Sequence, residues 1–247
     1  MGGVITRRRS VAILSGVAAI AVGVGIWQRD EGPHYLSIDP DTFAMSFDPP
    51  TAAGSAETRR ELDELLAMQS SRSGDQMARA RADRKTDIER FFEVLGLDAE
   101  DPPDLPQLHR LAERVEDDVR IHVRAVKERF RRLRPYEIEP RIEPCIDDVR
   151  GDLSYPSGHA AYSYAMVSLL TAMVPERGTQ LAARADEFAG QRMMCGVHFR
   201  SDLAAGQAAA EKLLREMSKV PEFSRDLANA TAELRSALGL PPLKPAH

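Results

Sequence analysis

The residues from Leu108 to Leu133 repeat an apolar side chain every three or four positions. The repeat comprises Leu108, Leu111, Val115, Val119, His122, Val126, Phe130 and Leu133. One face of an α-helix has this period, so the pattern predicts a long amphipathic helix that packs against other helices. His122 falls on the apolar face and is expected to be a core residue.

Start and stop signals divide the rest of the chain into further helices. They are predicted from a capping box at Thr58 to Glu61, then over about 75–95, 160–173, 175–195, 201–217 and 221–238. Asp104 is expected to cap the long helix, which would end at Pro135 and Pro140. Since alternating apolar runs and hairpin signals are missing, the fold class is predicted to be all-α, a bundle of about seven helices. Residues 29–57 are expected to form an extended lead-in and residues 58–240 the main domain.

The N-terminus has the pattern of an export segment. Arg7, Arg8 and Arg9 precede an uncharged stretch that runs from Ser10 to Gln28. Residues 1–28 are therefore expected to be a signal peptide or, since the stretch is about long enough to span a bilayer, a single membrane anchor. Either interpretation predicts a periplasmic or secreted protein. The net charge of −5 gives no sign of a nucleic-acid partner.

Two cysteines, Cys145 and Cys195, are present. In an exported protein an even number of cysteines favours a disulfide, although two buried thiols would also fit the sequence.

Three short clusters carry candidate phosphate chemistry. In the first, Lys127 and Arg134 are seven positions apart and are predicted to share one face of the long helix. Arginine suits bidentate contact with phosphate oxygens and lysine adds a compact charge. Taken alone, a basic run at a helix C-terminus would equally be a solvated face.

The second cluster is Tyr155-Pro156-Ser157-Gly158-His159. Pro156 in the first helical turn would leave the N–H groups of Ser157, Gly158 and His159 available to an anion. His159 could then donate a proton to a leaving oxygen. The alternative is an ordinary helix start with an incidental histidine.

The third cluster contains Arg192, His198 and Asp202. An aspartate four positions from a histidine can fix the ring tautomer and make the far nitrogen a nucleophile. Arg192 precedes the Gly196 turn and can reach the same point. A salt bridge beside a surface histidine is the alternative.

Together the clusters offer three cations, a helix N-terminus, two histidines and one carboxylate, the donors that in-line phosphoryl transfer needs without a metal. No set of His, Cys, Asp and Glu has metal-ligand spacing, so neither a metal nor another cofactor is expected.

The three motifs, Lys-x6-Arg-Pro, Pro-Ser-Gly-His and Arg-x5-His-x3-Asp, resemble the signature of the type 2 phosphatidic acid phosphatase superfamily. Ten residues match it: Lys127, Arg134, Pro135, Pro156, Ser157, Gly158, His159, Arg192, His198 and Asp202. Within that superfamily the chain is most similar to the bacterial class A non-specific acid phosphatases, through its runs 154–159 and 195–198. It departs from their pattern at Leu153, Ala160 and Gln191, none of which is a charged ligand.

The resemblance implies a metal-independent acid phosphatase that hydrolyses small phosphate monoesters inside a helical bundle. It implies that His198 becomes a phosphohistidine, that Asp202 orients His198 and that His159 is the acid toward the leaving group. The phosphate oxygens would be held by Lys127, Arg134, Ser157, Gly158 and Arg192. It also implies the Cys145–Cys195 disulfide and a homo-oligomer.

Three other functions fit parts of the same sequence. Integral members of the superfamily hydrolyse lipid phosphates or diphosphates, but they have several membrane spans, and this chain has at most one candidate. Vanadate-dependent haloperoxidases share the anion pocket on longer chains. A non-catalytic anion-binding protein would keep the cations, but it would have no use for His159, His198 and Asp202.

Overall fold

The computed structural model describes residues 32–98, 100–146 and 152–243, and within these ranges it is helical and has no strand. The prediction of an all-α bundle is confirmed. The predicted export segment, residues 1–28, lies outside the described residues. The helices are α1 Pro40–Ala44, α2 Ala56–Ser71, α3 Gly74–Ala82, α4 Phe92–Leu95, α5 Pro106–Phe130, α6 Pro135–Ile138, α7 Gly158–Met173, α8 Gly178–Met194, α9 Arg200–Met217 and α10 Pro221–Ala237. Two 3₁₀ turns, Ile88–Phe91 and Pro175–Arg177, complete the described secondary structure.

The amphipathic helix predicted from the sequence is α5. Its apolar face is buried from Leu108 to Val126, and His122 on that face is buried as expected. The helix ends at Phe130, because Arg131 adopts a left-handed conformation with φ of 49°. The predicted end near Pro135 is therefore too late, and Leu133 is 51% exposed.

Helix α7 lies at the centre of the bundle and packs against α5, α8, α9 and α10. Its small side chains permit close packing, and α9 approaches its first turn at Gly206. A Cβ atom on Gly206 would lie 2.5 Å from the carbonyl oxygen of Ser157. A side chain there would push α9 away from the N-terminus of α7.

Two predicted helix starts were misplaced. Helix α2 begins at Ala56, where Ser55 is the N-cap and its hydroxyl accepts a hydrogen bond from the Thr58 amide at 3.0 Å. Thr58 is therefore inside the helix. Helix α5 receives its cap from another helix, because the Glu233 carboxylate accepts hydrogen bonds from the amides of Gln107 and Leu108. Asp104 does not cap it, since the residue at the N-cap position is Leu105.

The helix predicted over residues 75–95 is interrupted. Helix α3 ends at Ala82, and the next residue, Asp83, is buried with its carboxylate on Arg184 at 2.7 Å. A 3₁₀ turn and the short α4 follow. In the lead-in, where an extended chain was predicted, Asp39 caps the five-residue helix α1.

No helix among the described residues is long and apolar enough to cross a bilayer.

Candidate active site

Three parts of the chain meet beside the first turn of α7. They are the last turn of α5, the segment before α6 and the α8–α9 connection. Gly196 turns the chain out of α8 with a φ of 70°, and a Cβ on it would lie 2.5 Å from Ile142. The adjacent Cys195 forms a disulfide with Cys145, which confirms that sequence prediction. This turn carries His198 back toward α7.

His198 lies between a guanidinium and a carboxylate. Its side chain is buried, with Nε2 2.6 Å from Nη1 of Arg134 and Nδ1 3.2 Å from Oδ2 of Asp202. Arginine nitrogens only donate hydrogen bonds, so Nε2 is the acceptor and the ring proton lies on Nδ1, facing Asp202. The lone pair of Nε2 therefore points toward the cations.

The surroundings of His198 disfavour its charged form. Burial lowers the pKa of His198 well below its usual value, and the nearby charges of Arg134, Lys127, Arg192 and His159 lower it further. Of these four predicted residues, Arg134 contacts the ring directly, and the charges of the other three act on it from nearby. A neutral imidazole whose Nε2 keeps its lone pair can act as a nucleophile at mildly acidic pH once a substrate takes over the hydrogen bond from Arg134.

Asp202 is fully buried at the start of α9. Its Oδ2 accepts hydrogen bonds from the Ser154 hydroxyl at 2.6 Å and the Phe199 amide at 2.9 Å, and its Oδ1 accepts from Arg132 at 2.7 Å. Burial raises the pKa of Asp202, and the ion pair with Arg132 opposes this rise. These donors leave the carboxylate in one orientation, against the ring of His198.

Lys127 and Arg134 do not share a helix face, because Arg134 follows the end of α5 and is the N-cap residue of α6. Both contact Asp152, whose carboxylate is 2.6 Å from Arg134 and 3.6 Å from Lys127. Lys127 also donates a hydrogen bond to the carbonyl of Leu153. Burial, followed by the charge of Arg134, lowers the pKa of Lys127 to about 8.

The helix start of the second motif differs in detail from its prediction. Ser157 is the N-cap of α7 and Pro156 precedes it, so the proline is not in the first turn. The Ser157 amide is already bonded to the Asp202 carbonyl at 2.9 Å, and its hydroxyl accepts from the Ala160 amide at 3.3 Å. The amide of Gly158 opens the helix itself, so the helix dipole points at this position.

His159 lies in the first turn of α7, and its Nε2 donates a hydrogen bond to the carbonyl of Arg84 at 2.8 Å. Its ring stacks on Phe188, with 6.1 Å between centroids. Arg192 is buried in the last turn of α8, where its carbonyl accepts from the amides of Val197 and His198.

Four residues beside this site were not predicted from the sequence: Glu61, Arg132, Asp152 and Ser154. Arg132 was indistinguishable from its basic neighbours, because four of the seven residues from 128 to 134 are arginines. The serine directly before the second motif was visible, but only as part of the family resemblance.

Comparison with known proteins gives a consistent result. A family model described as the PAP2 superfamily matches residues 119–222. The non-specific acid phosphatase of Salmonella typhi is 34% identical over 116 residues, 44% of this chain and 45% of that protein. That of Providencia stuartii is 30% identical over 135 residues, 53% and 54% of the two chains. An acid phosphatase of Zymomonas mobilis is 29% identical over 147 residues, 58% of this chain and 54% of its own.

The chain therefore spans about half the length of the curated relatives it matches. The matched segment contains all three sequence motifs, from Lys127 to Asp202. The family resemblance predicted from those motifs is confirmed.

Proposed function

Since residues 119–222 belong to the PAP2 superfamily, we propose that this protein is an acid phosphatase that hydrolyses small phosphate monoesters through a phosphohistidine at His198. The names of its relatives, non-specific acid phosphatase and acid phosphatase, support the reaction class. No step of the proposed reaction uses a metal ion.

The observation that carries the proposal is the environment of the His198 ring. Asp202 holds the Nδ1 proton and Arg134 faces Nε2, the nitrogen that would attack phosphorus. When a substrate binds, its phosphate oxygens would take the guanidinium bonds now made to Nε2 and to Asp152. Preorganised cations around the attacking atom stabilise the charge of the transferring phosphoryl group.

In the first chemical step, the Nε2 lone pair forms a bond to phosphorus and the ester P–O bond breaks. The electron pair leaves with the ester oxygen, which takes a proton from His159 as the alcohol departs. Lys127, Arg134 and Arg192, with Ser157 and the Gly158 amide, would hold the three remaining oxygens.

In the second step, water attacks the phosphohistidine and the P–N bond breaks. His159, which is now neutral, accepts a proton from the water, and the electron pair returns to Nε2. Inorganic phosphate leaves and the starting state is restored. Asp202 stabilises the imidazolium-like ring in both steps without taking its proton.

The shifted pKa of His198 supports activity at acidic pH. A histidine of ordinary pKa would be largely protonated at pH 5 and could not attack. Because burial and four neighbouring cationic groups lower the pKa of His198, its Nε2 keeps its lone pair to a lower pH. His159 is part-exposed and can exchange protons with solvent.

The disulfide supports a location outside the cytoplasm, where such bonds persist. A periplasmic or secreted protein, directed there or anchored by residues 1–28, is part of the proposal, as is a homo-oligomer of the domain over residues 58–240.

The test is hydrolysis of an aryl phosphate at acidic pH in the presence of EDTA. We expect wild-type activity to survive chelation and His198→Ala to abolish it. His159→Ala should slow an aryl ester least, because a good leaving group needs little protonation, and an alkyl ester more. Loss of wild-type activity on chelation would refute the metal-free mechanism. Hydrolysis of a lipid phosphate but not of the aryl ester would instead favour the lipid phosphatase activity of the superfamily's integral members.

A further inference from the structure

Arg132 is a buried arginine at an unspecified position of the first motif, between Lys127 and Arg134, and it bonds to the carboxylate behind His198. Its side chain is 5% exposed, and Nη1 donates to Oδ1 of Asp202 at 2.7 Å and to the Ser201 hydroxyl at 2.7 Å. The guanidinium lies 3.8 Å over the ring of Phe199. These contacts fix its plane relative to the start of α9.

The same guanidinium reaches a second carboxylate. Nη2 donates to Oε2 of Glu61 in α2 at 3.0 Å, while Oε1 of Glu61 accepts from the Ser201 amide at 2.8 Å. Glu61 therefore holds both Arg132 and the first turn of α9. The chain of contacts runs from Glu61 through Arg132 and Asp202 to the ring of His198.

The two oxygens of Asp202 have different partners. Oδ1 is bound by Arg132, whereas Oδ2 faces Ser154, the Phe199 amide and the His198 ring. Without the guanidinium, the carboxylate would lose its only cationic partner at hydrogen-bond distance among the described residues, and rotation away from the ring would be easier. A buried carboxylate without a cation is also held less firmly in its charged form.

We propose that Arg132 is a positioning residue that acts through Asp202, holding its carboxylate charged and directed at Nδ1 of His198. This role rests on the proposed function of His198 as the nucleophile. Arg132 does not reach the reacting atoms, so its effect should be on the state of the ring and not on phosphate binding.

The expected consequence is a lower kcat with little change in KM. In Arg132→Met we expect kcat to fall about 10- to 100-fold, the range known for losing the hydrogen-bond partner that orients a metal-binding side chain. KM should stay within about threefold, because the cations that would bind phosphate remain. Arg132→Lys should lose less than Arg132→Met but should not restore wild-type kcat, because one ammonium cannot bridge Glu61 and Asp202 with a planar fork.

The pH profile separates positioning from simple damage to the fold. The charged or titratable groups that act on Asp202 are Arg132, His198, Lys127 and Tyr155. Loss of Arg132 would leave the carboxylate protonated to a higher pH, so the acid limb of kcat/KM should move upward. Glu61→Gln, which keeps the size of the side chain, should loosen Arg132 and reduce kcat by a smaller factor.

Arg235 provides a matched control, since it is a buried arginine at the far end of α7 that bonds to the Met173 carbonyl and to Glu176. Arg235→Met should lower thermal stability without moving the acid limb. Nitrogen-15 NMR of the histidine side chains adds a readout besides activity: wild type should show His198 as the Nδ1–H tautomer and Arg132→Met a mixture.

The proposal is overturned if Arg132→Met keeps the wild-type kcat, acid limb and tautomer, or if it behaves like Arg235→Met. Should Arg132→Met fail to fold, Arg132→Lys and Glu61→Gln decide by the same measurements. A wild-type protein that hydrolyses no phosphate ester would refute the proposed function, and the tautomer comparison would still show whether Arg132 positions Asp202.

Discussion

His122 and His198 are both buried, but they make different use of the same sequence spacing. Each has an aspartate four positions away, Asp118 before His122 and Asp202 after His198. Both rings are almost fully buried, at 0% and 1% exposure. Only at His198 does the carboxylate face the ring, at 3.2 Å.

At His122 the backbone takes the place of the carboxylate. The ring nitrogens lie 2.7 Å from the Asp118 carbonyl and 3.1 Å from the Ile38 carbonyl, and the ring packs edge-on against Phe43. The Asp118 carboxylate points to the lead-in, where it accepts hydrogen bonds from the amides of His34 and Tyr35. This arrangement joins α5 to the lead-in and offers no available nitrogen.

Burial and spacing alone therefore do not distinguish the two histidines; the groups around each ring do. Burial lowers the pKa of His198 and the charges of Arg134, Lys127, Arg192 and His159 lower it further, while Asp202 holds the ring proton on the nitrogen away from them. We therefore expect changes near His198 to alter the reaction and changes near His122 to alter stability.

The largest expected effect comes from exchanging each aspartate for asparagine. Asp202→Asn should reduce kcat by about 100- to 10,000-fold, because an amide can present an N–H to Nδ1 and reverse the tautomer. Asp118→Asn should leave kcat unchanged and lower the free energy of unfolding by about 1–2 kcal/mol, since one lead-in amide loses its acceptor. Steady-state kinetics and urea unfolding of the two variants would test the contrast. Equal losses of kcat in the two variants would contradict the difference between His198 and His122.

A smaller effect should follow from the protonation of Lys127, one of the cations around His198. Its pKa is lowered to about 8, so the fraction that carries a charge falls as the pH rises through that value. Because the neutral amine binds phosphate less tightly, KM should rise by up to about tenfold for each pH unit above the pKa of Lys127. Lys127→Arg, whose guanidinium stays charged, should remove this rise while retaining the rest of the profile. A KM that rises identically in both proteins would point to another group.

The smallest expected effect concerns Asp152, whose side chain is 41% exposed and whose carboxylate contacts Arg134 and Lys127. It occupies donors that a phosphate oxygen would use. Asp152→Asn should strengthen competitive inhibition by inorganic phosphate by about two- to fivefold, a gain limited by solvent screening. Weaker inhibition would instead show that Asp152 helps to position the two cations.

Sequence reasoning predicted the all-α fold and the long helix, because the spacing of apolar residues is a local property of the sequence. Motif spacing and family resemblance also selected His198, Asp202 and Arg134, which the structure brings into contact, while their catalytic roles stay predictions. Sequence reasoning misjudged the ends of elements: α5 ends at Phe130, so Arg134 lies beyond the helix, and Glu233 replaces Asp104 as its cap. The cap on α5 depends on a contact with a distant part of the chain.

Arg132, Glu61 and Asp152 could not be selected from the sequence for the same reason. Glu61 and Asp202 are 141 positions apart, and only the packing of α2 beside α9 brings both onto one guanidinium. Nor does the sequence reveal that Asp118 turns its carboxylate away from His122. That orientation depends on the lead-in, whose amides donate hydrogen bonds to the carboxylate.

The central claim is that His198 carries the phosphoryl group, and trapping that intermediate tests it most directly. Wild type mixed with a phosphorus-32-labelled aryl phosphate and quenched in alkali should retain label that is stable in base and lost in acid, as a phosphoramidate bond is. The label should map to His198, and His198→Ala should retain none. Label that maps to another residue, or that persists in His198→Ala, would contradict the account, as would turnover in which the wild type never becomes labelled.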